Sequence, residues 1–219
     1  MKLKYLNPSF ILLLLIMELI LNQTISSQEL KHKRRNIGTN MIEEYSVLKS
    51  NKDIREGPYK LIIDKFICQI GSYKNNLRSG TWQIFYSKDT LELEYNYDTN
   101  ELIYFNKKYY LSKDDSTLCK PIYLGGFMYF FHAVINSIDP KQLQCGNGLL
   151  IVSFDVDSSG IPSKFLLRLS SGCNDLDIES VRSIRIVATS NFKYMPAKKD
   201  GKPFTYNMYY PLYVSQFTH

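Results

Sequence analysis

Residues Leu150–Leu169 read LIVSFDVDSSGIPSKFLLRL, and their pattern decides how the second half of the chain folds. Leu150, Val152, Phe154 and Val156 alternate with Ile151, Ser153 and Asp155, and Asp157-Ser158-Ser159-Gly160 supplies turn chemistry. Ile161, Ser163, Phe165, Leu167 and Leu169 then resume the alternation. Two period-two runs joined by such a turn predict a β-hairpin. Asp155 and Asp157 flank the turn and are read as capping carboxylates, not as an acid/base pair. Downstream, Asn174 or Asp175 can cap a helix whose apolar positions Ile178, Val181, Ile184 and Val187 fall three apart, ending before Asn191. Asp175, Asp177 and Glu179 lie at its start, where the helix dipole favours negative charge. After Met195-Pro196-Ala197 and a turn at Asp200-Gly201-Lys202-Pro203, a last strand is expected, with Phe204, Tyr206, Met208, Tyr210, Leu212 and Val214 alternating. The order is β-β-α-β.

A module closed by its final strand can present an open sheet edge, and such an edge can accept another chain as an added strand. Pro211 lacks a ladder donor, which an edge or a bulge tolerates and a central strand does not. Phe154-Asp155-Val156-Asp157 with Gly160, the Asp177–Arg182 helix, Tyr194-Met195-Pro196-Ala197-Lys198, Gly201-Lys202-Pro203 and Tyr209-Tyr210-Pro211-Leu212 resemble the TonB C-terminal domain. The match covers about a third of the chain. It extends upstream through Gly125-Gly126, Phe130-Phe131, Ile135 and Asp139-Pro140, which are similar to the lead-in helix before that domain.

The resemblance implies a non-enzymatic domain that takes a short extended segment of an outer-membrane transporter by strand addition, in energy transduction. Carried over, Phe204, Tyr206, Asn207, Met208, Tyr209, Tyr210, Leu212 and Tyr213 form the partner-binding edge. One departure matters: residues 28–120 contain only Pro58 and no Pro/Lys or Pro/Glu spacer run. A soluble adaptor or envelope scaffold is therefore expected before a force-transmitting transducer.

Between Tyr45 and Tyr110 the composition shifts to Tyr, Lys, Asn and Gly. Gly57-Pro58-Tyr59-Lys60-Leu61 recurs as Gly80-Thr81-Trp82-Gln83-Ile84, preceded by Arg55 and Arg78 respectively. These two copies resemble MORN-type repeats, short hairpins stacked into a sheet. Leu91, Leu93, Tyr95 and Tyr97 alternate with Glu92, Glu94, Asn96 and Asp98, which predicts one buried and one wet face. Leu102–Phe105 and Tyr109–Leu111 are expected to continue as a hairpin. Something must cover the apolar face, and the helix carrying Phe127, Phe130, Phe131, Val134, Ile135 and Ile138 is expected to pack in the terminal domain or wedge between modules. The fold class expected is α+β, an antiparallel hairpin-repeat module followed by the β-β-α-β domain. The divisions are residues 1–27 (signal peptide), 28–44 (flexible basic segment), 45–120 (repeat module) and 121–219 (terminal domain).

Lys2 and Lys4, the apolar run Phe10–Leu21 and small residues before Gln28 look like a cleaved signal peptide, and predict a periplasmic protein. Twelve residues rise only about 18 Å as a helix, against a hydrocarbon core of about 30 Å. The alternative is an inner-membrane anchor through residues 10–21. The chain carries a formal charge of +6, much of it in Lys31, Lys33, Arg34 and Arg35. That stretch reads as a mobile tail containing His32, with nucleic acid not expected as a partner. Four cysteines in an exported chain suggest two disulfides. With the turn centred between Ser158 and Ser159, Cys145 and Cys173 fall nearly opposite at the open end of the hairpin. Cys68 and Cys119 are left to each other. The Cys spacings contain no metal-binding motif, so neither metal nor cofactor is expected.

His132 lies in an apolar helix and reads as a boundary histidine; His219 is terminal. No nucleophile elbow or phosphate loop occurs, so no catalytic residue is assigned. Most of the seventeen tyrosines read as ordinary strand residues rather than a stacking surface. The alternatives to a hetero-partner are self-association of the edge, as a homodimer or scaffold, and an envelope hydrolase.

Overall fold

The computed structural model describes residues 29–110, 118–145, 148–190 and 192–214. The signal-peptide segment, Leu111 and His219 lie outside them. Seven strands, β1 (Leu30–Gly38), β2 (Met41–Leu48), β3 (Arg55–Ile63), β4 (Phe66–Lys74), β5 (Leu77–Ser87), β6 (Thr90–Asn96) and β7 (Glu101–Phe105), form an antiparallel meander in chain order. The β3–β4 and β4–β5 connections are the residue pairs Asp64-Lys65 and Asn75-Asn76, each left-handed at both positions, as tight twisted hairpins require. The repeat seen in the sequence is structural: Gly57 and Gly80 both have positive φ, and Tyr59 and Trp82 stand side by side with ring centroids 5.1 Å apart. Gly71, paired with Tyr59, lets this happen. A Cβ there would come within 2.2 Å of the Trp82 ring.

Three expectations for this half need correction. Residues 28–44 are not a flexible segment: from Leu30 they form β1 and the start of β2, with His32 opposite Ser46. The basic side chains are matched across the strands, Arg34 to Glu44 at 3.6 Å and Arg35 to Glu43 at 2.7 Å, while Met41, Glu43, Tyr45 and Val47 turn inward. Tyr109 does not start a strand, because residues Lys107–Tyr110 form a helical turn whose Lys108 N–H is taken by the Asn106 side chain at 3.2 Å. Glu92 is not on the wet face but buried, only 1% exposed. Ile84 pairs with Leu93 and Phe85 with Leu91, leaving Glu92 as the extra residue of a β-bulge; a bulge redirects the side chain it carries.

The rest of the described chain contains β8 (Leu118–Cys119), β9 (Ile122–Tyr123), α1 (Phe127–Ser137), a 3₁₀ turn at Gln142–Gln144, β10 (Gly148–Val156), β11 (Pro162–Leu169) and α2 (Asn174–Ala188). It ends with β12 (Tyr194–Met195), β13 (Ala197–Lys199), β14 (Lys202–Phe204) and β15 (Tyr206–Val214). β11, β10 and β15 form an antiparallel sheet in that order. Its inner face (Leu150, Val152, Phe154, Leu212) packs with Phe130 and Val134 of α1 and Leu176 and Ile184 of α2. The α+β class holds.

The buried stripe of α2 starts from Leu176, not Ile178, which is 60% exposed. The helix is capped at Cys173 rather than Asn174 or Asp175, because Asp177 reaches back to the Ser171 N–H at 2.8 Å and the Ser170 hydroxyl at 2.6 Å. Phe204 is not part of the last strand; it pairs with Ala197 in a separate small sheet.

α1 serves both halves. Met128 and Tyr129 pack against the core of the seven-stranded sheet, and Phe130, Val134 and Ile138 belong to the other core. Polar groups lock the junction: Gln69 Nε2 donates to the Gly125 carbonyl at 2.7 Å, Phe127 N–H donates to the Glu92 carboxylate at 3.0 Å, and Thr39 N–H donates to Asn136 Oδ1 at 2.6 Å. A buried carboxylate on a helix N-terminus satisfies an orphan donor and complements the dipole. Gly126 makes the approach feasible, since its φ is 78° and a Cβ would lie 2.2 Å from Ile84 Cγ2.

Cys145 and Cys173 are disulfide-bonded, with Cα atoms 5.9 Å apart. Cys68 and Cys119 are not: both are free thiols. Cys68 points into the sheet core with Sγ 3.6 Å from the Phe85 carbonyl. Cys119 is held on β8 with its Sγ on the Lys120 carbonyl at 3.5 Å.

Candidate partner-binding edge

Among the described residues, β15 is paired on one side only, with β10, in a register that runs without a shift from Gly148 opposite Val214 to Val156 opposite Tyr206. Of the four outer strands in the two larger sheets, it alone has an unbroken register and no charged residue. β1 is basic and its pairing shifts at Asn36. β7 is short and shifts between Glu94 and Tyr95. β11 carries Pro162 and Lys164 and shifts twice, with Lys164 in the left-handed region. Charge, shortness and bulges are how sheets blunt their edges.

The only such device on β15 is Pro211, opposite Ile151. Proline fits an edge strand where its missing N–H would face the open side. Antiparallel N–H groups alternate between the neighbour and the open side. The N–H groups of Asn207, Tyr209 and Tyr213 therefore face outward, and those of Tyr206, Met208, Tyr210 and Leu212 bind β10.

The side chains alternate as well. Leu212 and Val214 are buried, with Met208 and Tyr210 packed on the same core, while Tyr209 and Tyr213 are 61% and 75% exposed. Asn207 Nδ2 donates to Asp155 Oδ1 at 2.7 Å, and Lys164 Nζ lies 3.0 Å from the other oxygen. The hydrogen bond from Asn207 and then that from Lys164 hold the Asp155 carboxyl below its ordinary range. Asp157 caps the turn instead, accepting the Ser159 and Ile161 N–H groups at 2.8 and 2.9 Å.

Beside β15 runs a mostly apolar groove of about 310 Å³, lined by Met208, Tyr210 and Pro211 of the strand and by Tyr86, Pro121 and Phe127 across from it. Tyr86 gets there because it is the extra residue of a second bulge, between the pairs Phe85–Leu91 and Ser87–Thr90. Periodicity could not reveal this groove. His132, by contrast, is a boundary residue 3.3 Å from Asp64, its pKa lowered by burial against the opposing pull of that carboxylate. Among the described residues no three His, Cys, Asp or Glu side chains gather as a metal site requires, and no helix is long and apolar enough to cross a membrane.

No protein-family model, curated protein or solved structure matches this chain. The TonB-like and MORN-like readings thus rest on the residues that suggested them.

Proposed function

We propose that this chain is an exported, non-enzymatic protein-binding module that receives an extended segment of a partner on β15 by strand addition. The observation that carries this reading is the regular, uncharged edge, interrupted only at Pro211, with outward N–H groups at Asn207, Tyr209 and Tyr213. Strand addition draws affinity from main-chain hydrogen bonds and specificity from pockets for alternate side chains. The groove beside Met208–Pro211 supplies such a pocket and suits an apolar or aromatic side chain. A disulfide fits an oxidising compartment, and the TonB-like residues favour an outer-membrane transporter as the source of the segment.

The test is crosslinking capture from the native envelope with the wild-type protein and three variants. Asn207→Pro removes an outward donor and should abolish capture of the partner. Met208→Pro removes a donor to β10 and should mainly lower stability, and Asn207→Ala, which loses only the bond to Asp155, should retain capture. Equal capture by wild type and folded Asn207→Pro contradicts the proposal. A wild-type chain that captures only itself replaces the hetero-partner with self-pairing through the same edge.

A further inference from the structure

The sheet β11–β10–β15 packs with α1 and α2 on one face only. Residues opposite one another in a ladder share a face, so the face turned away from the helices carries Leu149 and Ile151 of β10, Tyr209 and Tyr213 of β15, and Leu166 and Leu169 of β11. On an antiparallel sheet with one wet face the outward positions are normally polar. Here β10 reads Leu149-Leu150-Ile151-Val152 without alternation, the pattern of a strand buried on both faces. Among the described residues nothing covers the outer face: Leu149, Leu166 and Leu169 are 40%, 49% and 45% exposed, and Tyr209 and Tyr213 more so. These five residues leave on the order of 600 Å² in water, taking roughly 200 to 250 Å² for each when fully open. That is the upper end of what the largest apolar patch of a monomer exposes, about 300 to 600 Å². A standard-size interface takes about 800 Å² from each partner, which this patch and its polar rim supply.

Charge selects the occupant. The six outward positions carry none. At the end of the face Lys164 and Asp155 close on each other at 3.0 Å, and Arg168, the extra residue of a β11 bulge, is turned onto the face, its Nε donating to Ser153 Oγ at 2.7 Å. A lipid-binding surface would instead carry a cluster of lysines and arginines to meet anionic headgroups. A charge-depleted centre rich in tyrosine is the composition of a protein interface core. A nearly neutral apolar face is also its own complement: under a two-fold axis the same patch on both subunits covers itself, and two such faces can stack about 10 Å apart as the sheets of a sandwich do.

We propose that the chain dimerises face to face, the outer surface of β11–β10–β15 packing on that of a second copy. The outward N–H groups of β15 lie in the plane of the sheet, so the dimer keeps two open edges, and it forms whether or not β15 takes a partner.

Sedimentation velocity of the exported chain from about 1 to 100 μM should show a reversible monomer–dimer equilibrium, with Kd in the micromolar range or tighter. Leu149→Glu and Leu166→Glu, both off β15, should each weaken dimerisation at least about tenfold, since each places an unpaired charge in the interface. Leu77→Glu, exposed on the seven-stranded sheet, should leave it unchanged. If Leu149→Glu on the central strand fails to fold by circular dichroism, Leu166→Glu on the outer strand decides. Asn207→Pro separates face from edge, because a face-to-face dimer survives the loss of an outward β15 donor and an edge-paired dimer does not. A chain that stays monomeric at about 100 μM, a dimer indifferent to the leucine variants, or a dimer lost in folded Asn207→Pro would overturn the proposal. A monomer that cosediments with vesicles of phosphatidylcholine and phosphatidylglycerol, and that Leu166→Glu releases, would overturn it in favour of lipid.

Discussion

Pro211 sits opposite Ile151 in the middle of the nine-residue ladder that joins β15 to β10. It interrupts the outward row of donors and not the inward one, so it protects the edge without weakening the sheet. Pro211→Val should leave folding stability within about 0.5 kcal/mol of wild type, as surface changes usually do. It should also strengthen self-association up to about tenfold, the worth of one added hydrogen bond. Light scattering over a concentration series reads this, and unchanged association would show that copies do not meet through β15.

Trp82 rests on Gly71, where a methyl group would have to push the indole aside. Gly71→Ala is expected to cost about 1 to 3 kcal/mol by overpacking and to red-shift Trp82 emission as the ring is displaced. Urea denaturation and the emission maximum check both; a stability equal to wild type would show that the ring has room to move.

Asp177 is 6% exposed and anchors the start of α2. Burial pushes its carboxyl up, but the hydrogen bonds from Ser170 and Ser171 prevail and hold it below the ordinary range. A depressed folded-state pKa stabilises at neutral pH, and the contribution is lost as pH falls through that pKa. Asp177→Asn should therefore cost about 1 to 3 kcal/mol at pH 7, with the difference from wild type narrowing below about pH 4. Denaturation at the two pH values measures it, and a pH-independent difference would contradict the charged anchor.

The thiols give a chemical test of the cysteine assignment. Non-reducing peptide mapping should link Cys145 to Cys173 and leave two free thiols. At pH 8, alkylation should reach Cys119 in the native protein and Cys68 only after unfolding, because burial pushes the Cys68 thiol up to about 12. Cleaving the disulfide should cost roughly 3 to 4 kcal/mol by loop entropy. A Cys68–Cys119 link would contradict the structure.

The hairpin around Asp157–Gly160, the α2 helix and the alternation of β15 were legible because each depends on local periodicity and turn chemistry. The Tyr59/Trp82 repeat was legible for the same reason. β1 was not: Lys31–Arg35 offers no apolar alternation, and the strand forms through pairing with Glu43 and Glu44 on the next one. Glu92 and Tyr86 escaped because a bulge inserts one residue and inverts the facing that periodicity assigns. Pairing Cys68 with Cys119 by elimination assumes that every cysteine of an exported chain is bonded, and both thiols are free.

Residue-resolved amide exchange along β15 tests the central claim most directly. In dilute protein alone, Asn207, Tyr209 and Tyr213 should exchange quickly and Met208, Tyr210 and Leu212 slowly; with the captured partner bound, the first three should become protected and the others should not change. Slow exchange of Asn207, Tyr209 and Tyr213 in the free monomer, or protection that appears on binding anywhere but at those three amides, would contradict strand addition at this edge.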